Sequence, residues 1–196
     1  MRLTRINVRR NTLIGLTLLI MIANTSAHQG IGFVVGPTYG YGLGYNRYFD
    51  NGYGWQVSGF PYVEDGNRNL NLGFTVFKTL HEGKSGRPFI SLGTSIHHQY
   101  EVWEEVYWKD TYIPDSEPSQ QINQHLMKNT EESSIFAIGP GVGLEWKFFE
   151  NFAFSIGVPM AIFFESHKNR FESRPNEDEF KFAIRPYPNV ALMYRW

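Results

Sequence analysis

Two polar side chains on one face of a predicted strand are the clearest candidates for chemistry in this chain. Ser95 and His97 lie two residues apart, and Glu101 falls on the same face, because alternate side chains of a strand point to the same side. Together they could supply a nucleophile, a base and an orienting carboxylate. Further rim candidates are His98, Ser166 and His167. No surrounding motif defines a catalytic site, so ordinary polar residues are the simpler interpretation.

Metal and cofactor chemistry find little support in the sequence. The adjacent His97 and His98 point to opposite faces of a strand, and no histidine pair has the helical spacing of a metal site. The absence of cysteine excludes disulfides and thiolate ligands. Glycines at every second position, as in 139–143, lie on one face of a strand and lack the spacing of a phosphate loop. The sequence predicts neither a cofactor nor a metal.

Long alternating segments are the dominant pattern of the chain. In residues 135–148 and 151–165, large apolar side chains alternate with a second face that is mostly Gly, Ala and Ser. A soluble sandwich would place charged side chains on that second face. The segments suit tilted transmembrane strands, which need about 9–11 residues. Small residues on the other face fit the interior of a narrow barrel.

The pattern predicts an all-β fold with eight antiparallel strands. The predicted strands are 29–36, 39–49, 54–63, 69–80, 88–102, 134–149, 151–165 and 180–196. Three short connections would lie at one end, and the long polar segments 103–133 and 166–179 at the other, which is the pattern of transmembrane barrels. The first strand would turn at 36–38. The aromatic and acidic residues of 103–133 either form a binding loop or extend the two strands as a hairpin.

The N-terminus predicts export. Residues 1–11 carry four arginines and no acid, residues 12–23 are largely apolar, and 24–27 are small or polar. This is the arrangement of a cleaved helical signal peptide, 1–27, since a membrane-spanning helix needs about 20 apolar residues. Its removal takes four of the 18 basic residues and leaves 19 acids, a net charge near −5. That charge argues against a nucleic-acid partner. Residues 28–196 would form one barrel domain.

The final strand carries the most specific signal. Val190, Leu192, Tyr194 and Trp196 share one face, and the chain ends on an aromatic residue. This ending resembles the insertion signal of bacterial outer-membrane β-barrels. The chain resembles the small OmpA/OmpX-type barrels over nearly its whole mature length. The resemblance implies a monomer of the Gram-negative outer membrane, with porin-like architecture, that contacts outer-membrane lipid and is inserted by the barrel-assembly machinery.

Charged and aromatic residues can be placed on this barrel. Alternation points six charges to the lumen, where ion pairing would compensate them: Glu101, Glu145, Lys147, Glu165, Arg185 and Arg195. Aromatic belts are expected at both interfaces. The lower belt would contain Phe49, Trp55, Phe148, Phe152, Tyr194 and Trp196, and the upper belt Tyr100, Phe163 and Phe164.

Prolines within the last strands predict a local weakness. Pro186 and Pro188 would lack two N–H donors toward the same neighbouring strand, and Pro159 would lie opposite Tyr187. A closed barrel has no free edge, so these prolines predict incomplete pairing in the outer half. The alternative is a bulge near the rim.

Three functions remain open from the sequence. The first is a non-enzymatic outer-membrane protein, structural or surface-binding through 103–133 and 166–179. The second is a lipid-modifying enzyme, since small barrels that remodel lipid A use serine and histidine near the outer rim. The third is a narrow channel, although eight strands generally leave an interior filled by side chains.

Overall fold

The computed structural model describes residues 28–64, 67–110, 122–172 and 175–196. The predicted signal peptide, 1–27, lies outside the described residues. Nine β-strands are present in this part of the chain: β1 (His28–Gly36), β2 (Gly40–Tyr48), β3 (Tyr53–Glu64), β4 (Asn67–Thr79), β5 (Gly86–Asp110), β6 (Ile122–Phe148), β7 (Phe152–Arg170), β8 (Glu177–Pro186) and β9 (Asn189–Arg195). Among the described residues, no helix has the length and apolarity needed to cross a membrane.

Antiparallel pairing closes the strands into a ring with eight positions. Each strand from β1 to β7 pairs with the next, and β9 closes the ring by pairing with both β7 and β1. The strand β8 continues the position of β9 above a break at residues 187–188, and it pairs with β7. The eight-stranded antiparallel barrel predicted from the sequence is therefore confirmed, including its first strand.

Side chains follow the alternation read from the sequence. Along β9, Ala191 and Met193 are buried, whereas Leu192 and Tyr194 are more than 40% exposed. Along β6, Val142 is 63% exposed while Ala137 and Glu145 are buried. An isolated water-soluble domain rarely exposes a continuous apolar belt, and here the belt surrounds the barrel because one face of each strand points outward.

Aromatic contacts mark the end of the barrel that carries the short turns. The Phe152 and Tyr194 rings lie 5.4 Å apart, the Tyr194 and Trp196 rings 6.3 Å apart, and the Phe148 and Phe152 rings 6.1 Å apart. We call this the inner end and the opposite one the outer end. Phe163 does not belong to the expected outer belt. It lies on the inward face of β7 and is only 5% exposed.

The strands at the outer end differ in height, and this corrects the boundaries read from the sequence. The segment 103–133 is mostly strand, since β5 reaches Asp110 and β6 begins at Ile122. Likewise, β7 extends to Arg170 and β8 begins at Glu177. Polar alternation hid these extensions, because outside a lipid belt neither face of a hairpin must be apolar. By contrast, the first hairpin is short at this end, since β1 ends at Gly36 and β2 begins at Gly40.

Candidate functional site

The turn between β1 and β2 folds into the barrel interior. Its residues Thr38 and Tyr39 are 1% and 4% exposed. Such a turn exposes backbone carbonyl groups to the interior, and each buried carbonyl needs a donor. Three hydroxyl groups from three strands supply these donors. Ser95 Oγ donates to the carbonyl oxygen of Pro37, Thr75 Oγ1 to that of Thr38 at 3.2 Å, and Ser58 Oγ to that of Tyr39.

The last strand holds the same turn from the other side. Asn189, fully buried at the start of β9, donates from Nδ2 to Thr38 Oγ1 at 2.6 Å. Its Oδ1 atom lies 3.5 Å from the Thr38 backbone nitrogen, which donates to it. We call residues 37–39 the plug. It is bound by β3, β4, β5 and β9, so it crosses the lumen instead of lining it.

Glycines make room for the plug. A Cβ atom at Gly73 would collide with the carbonyl oxygen of Tyr39, and one at Gly93 would lie 2.7 Å from that of Thr38. Gly40, at the end of the plug, has a φ of 78°, a conformation that L side chains rarely adopt. The plug therefore requires glycine both at its own end and on the two strands that it contacts.

Below the plug the lumen is filled. Tyr39 packs with Val34, Ala191 and Met193. Nearer the inner end, Tyr48, Phe77 and Phe89 form a second cluster. The rings of Tyr48 and Phe77 are 4.4 Å apart.

Ionic contacts close the inner end. Glu145, 1% exposed, accepts from Arg87 Nε at 2.7 Å and from Arg195 Nη1 at 2.6 Å. Tyr48 Oη donates to the same carboxylate at 3.1 Å. The two guanidinium groups also lie over the Tyr48 ring, 3.5 Å and 4.4 Å from its centroid. We call these four residues the ionic layer. The single carboxylate pairs with both guanidinium groups, which leaves one net positive charge in a site that water barely reaches.

Above the plug lies an open cavity of about 630 Å³. Apolar and aromatic side chains form most of its wall: Phe60, Tyr62, Ile135, Ala137, Phe163 and Tyr187. The plug residue Pro37 forms part of its floor. Ligand sites typically occupy about 300–1,000 Å³ and combine an apolar wall with a few polar groups. The cavity has this composition and is the candidate functional site.

Two polar pairs lie in the cavity. Asn71 Nδ2 is 3.0 Å from His97 Nδ1, and Asn71 Oδ1 accepts from the Tyr41 backbone N–H at 2.8 Å. Arg185 Nη2 donates to Glu165 Oε1 at 3.3 Å. The Arg185 guanidinium lies 5.0 Å from the Phe163 ring centroid, and its side chain is 54% exposed. Arg185 is therefore accessible from outside the cavity.

The residues considered for catalysis do not come together as a catalytic site. The Ser95 hydroxyl donates to the Pro37 carbonyl oxygen, and His97 pairs with Asn71. Glu101 is exposed and accepts from Gln99. His98 Nδ1 lies 2.9 Å from the Ser134 hydroxyl, on the outward face of β5 and β6. Within the described ranges, no group of three metal-ligating side chains is present.

The six charges assigned to the lumen fall into three places. Glu145 and Arg195 belong to the ionic layer, while Glu165 and Arg185 line the cavity. Lys147 lies at the inner edge and pairs with Glu82 at 2.8 Å. Glu101 stands at the outer end. Sequence reasoning missed Arg87, because the predicted strand began one residue later. It also missed Ser58 and Thr75. Each places one hydroxyl on the inward face of its strand, and the two strands are neighbours, which is the only pattern in the sequence that points to them.

The prolines lie where the last strand is interrupted. The Tyr187 N–H donates to the Pro159 carbonyl oxygen at 3.2 Å, which directs Tyr187 toward β7. Because backbone N–H and C=O groups alternate sides along a strand, the backbone nitrogen atoms of Pro186 and Pro188 point away from β7. On that side the neighbouring position is the plug, since the pairing of β1 with β9 ends at Val35 and Val190. The short first hairpin, rather than the missing donors, thus ends the pairing.

Beyond the apolar belt, the long strands β5 to β8 form one continuous wall at the outer end. Asn129, 1% exposed, donates to Glu105 at 3.2 Å and accepts from the Glu172 backbone N–H at 3.4 Å. The hydrogen bonds and the charge of Arg170 lower the pKa of Asp178 on the exposed wall. This wall comprises β5 to β8 above the cavity.

Comparison with known proteins finds a likeness among solved structures. No family model matches the sequence, and no curated protein matches it. The solved structure of a major outer membrane protein from Thermus thermophilus is similar to this chain, with a TM-score of 0.47 and 11% sequence identity. The alignment covers 88% of this chain and all of the other.

Proposed function

We propose that this chain is a non-enzymatic outer-membrane protein of the Gram-negative envelope that binds ligands at its outer end. The plug is the observation that carries the proposal. Three hydroxyl donors and Asn189 hold it across the lumen, and the ionic layer fills the barrel beneath it. A solute therefore has no path through the barrel, whereas the cavity and the wall are accessible from outside.

The outward belt supports the membrane location. Large apolar side chains cover the outside of every strand around the ring, and aromatic side chains gather at the inner end. The terminal face of Leu192, Tyr194 and Trp196 is exposed, as insertion by the barrel-assembly machinery would require. In the inner half the apolar surface runs around the whole ring, so the proposed unit is a monomer, exported by residues 1–27.

The wall is the surface proposed for binding at the outer end. It extends β5 and β6 well beyond the apolar belt, and it carries both acidic and basic side chains. Buried contacts at Asn129 fix its shape, which preorganises the surface for a partner. The serine–histidine alternative is less favoured, because the Ser95 hydroxyl is engaged by the plug.

Fractionation and conductance test this proposal. Full-length protein should be processed near His28, fractionate with outer membranes and show heat-modifiable gel mobility. Deletion of Trp196 should leave unfolded periplasmic protein, while the matched inward variant Met193→Leu should still assemble. Purified barrel in planar bilayers should give no stable conductance. Normal assembly without Trp196 would contradict the proposed insertion signal, and a steady ohmic current would contradict the closed lumen.

A further inference from the structure

The barrel wall has a lateral opening in its outer half. Pairing of β2 with β3 begins at Leu43 and Gly59, so β3 beyond Gly59 pairs with β4 alone among the described strands. On the other side, β8 pairs with β7 alone. The two short strands β1 and β2 leave three strand spacings between β8 and β3, or roughly 14 Å at about 4.8 Å each. The cavity reaches this opening through Tyr62 and Tyr187.

The opening lies at the depth of the apolar belt. On β8, the outward side chains of Phe182 and Ile184 are 56% and 57% exposed, and on β3 that of Val63 is 72% exposed. Phe182 also packs against Phe164 of the belt, with ring centroids 5.4 Å apart. Because apolar side chains flank both edges, the opening faces hydrocarbon and not only water.

Both edges resist pairing with another strand. Pro186 lies on the β8 edge and has no N–H donor for the open side. Pro61 lies on the β3 edge facing the same opening. Proline is tolerated at sheet edges because no ladder bond is lost there, and it interrupts the donor row that an added strand would need. The opening is thus unsuited to a peptide strand or to a second copy of this chain.

We propose that the cavity binds one acyl chain of an outer-leaflet lipid, which enters between β3 and β8. This inference rests on the proposed outer-membrane location. The apolar wall formed by Phe60, Ile135 and Phe163 accepts the hydrocarbon, and the plug closes the inner end of the cavity, which limits how deep the tail can reach. Arg185 stands beside the opening with donors free for an oxygen of the lipid ester or head group.

The charge arrangement favours a lipid oxygen at Arg185. The hydrogen bond from Arg185 to Glu165 is long at 3.3 Å, and the Glu165 side chain is 17% exposed against 54% for Arg185. The carboxylate therefore lies deeper in the cavity than the guanidinium, which stays accessible from outside. A planar guanidinium can donate to ester or phosphate oxygens in a defined geometry.

Photolabelling in a bilayer tests the assignment. The full mature chain is reconstituted in phosphatidylcholine vesicles that contain a phospholipid with a diazirine at the end of one acyl chain. Irradiation followed by peptide mass spectrometry should place adducts on the lumen side of 135–137 and 161–163. Ile135→Trp should remove these adducts by filling the cavity, whereas the neighbouring outward variant Phe136→Trp should retain them. Arg185→Gln should lower their yield without changing heat-modifiable mobility.

The outcomes separate this inference from the proposed function. A chain that fails to insert and shows no heat-modifiable mobility contradicts the outer-membrane proposal itself. An inserted barrel labelled only on outward residues overturns acyl binding in the cavity. Lumen labelling by a diazirine fatty acid but not by the phospholipid overturns the lipid as the source. If Ile135→Trp does not fold, the yield of lumen adducts in Arg185→Gln is compared with that in the unchanged chain. A lower yield supports acyl binding in the cavity, and an equal yield overturns the role given to Arg185.

Discussion

The inner and outer halves of this barrel are built from largely the same strands, but the inner half has a filled interior and the outer half has a cavity. In the inner half every strand has two neighbours, and the lumen contains the ionic layer and two apolar clusters. In the outer half the first hairpin is too short to contribute to the barrel, and the lumen is a cavity. Arginine–glutamate pairs therefore stand in different environments: Glu145 is buried away from water, whereas Arg185 beside Glu165 is half exposed.

The ionic layer offers the largest expected effect. Glu145→Gln removes the carboxylate that compensates Arg87 and Arg195, and breaking a buried pair in this way typically costs about 3–5 kcal/mol. Urea unfolding in lipid vesicles should show this loss. The matched variant Glu165→Gln in the outer half should change stability far less, because Arg185 reaches water. Equal losses for the two variants would contradict the contrast between the halves.

A charge placed on the lipid-facing side of the inner half should rank next. Val142→Arg puts a guanidinium on a side chain position that is 63% exposed toward the belt, at an expected cost of about 2–4 kcal/mol near mid-depth. The control is Leu80→Arg, at an exposed position just after β4 at the inner end, where the cost falls to about 0–1 kcal/mol. Reversed ranking in vesicle unfolding experiments would show that the belt is misplaced.

The plug gives a smaller and more local prediction. Asn189→Ala removes the donor to Thr38 and leaves buried polar groups of the plug without partners, at about 1–3 kcal/mol. Hydrogen exchange at residues 38–41 should accelerate while β7 below Gly157 stays protected. Asn46→Ala, at an equally buried polar position in the inner half, is the control and should leave the plug unchanged. Uniform acceleration throughout the barrel would argue against a separate plug.

The pair Glu82 and Lys147 should give the smallest effect. Its 2.8 Å distance nearly equals the 2.7 Å between Arg87 and Glu145, but it is exposed. The hydrogen bond from Lys147, and then its charge, lower the pKa of Glu82. A lowered folded-state pKa gives stability that is present above the unfolded value, about 4.3, and is lost as pH falls through the folded value. Glu82→Gln should thus cost at most about 1 kcal/mol at neutral pH, and the difference should vanish in acid; a difference that grows in acid would contradict this sign.

Local alternation was sufficient to predict the ring and its two faces. Leu192 and Tyr194 point outward and Ala191 and Met193 inward because one period-2 pattern fixes all four. The plug could not be read in the same way. Residues 36–39 have the composition of an ordinary turn, and their direction depends on Ser58, Thr75 and Ser95, which are far away in sequence. The heights of β5 and β6 were also hidden, since polar extensions carry no lipid-facing alternation.

The contact between Thr38 and Asn189 also bears on how the barrel assembles. It joins residues 151 positions apart, at the two strands that close the ring. Closing so long a loop costs entropy before any contact repays it, so this contact should form late in folding. The strands β1 and β2 can pair early, but Thr38 in their turn bonds Asn189 only after β9 has joined the barrel. The turn thus links the start of the chain to the completion of the barrel, and premature closure between other strands would leave its buried polar groups unsatisfied.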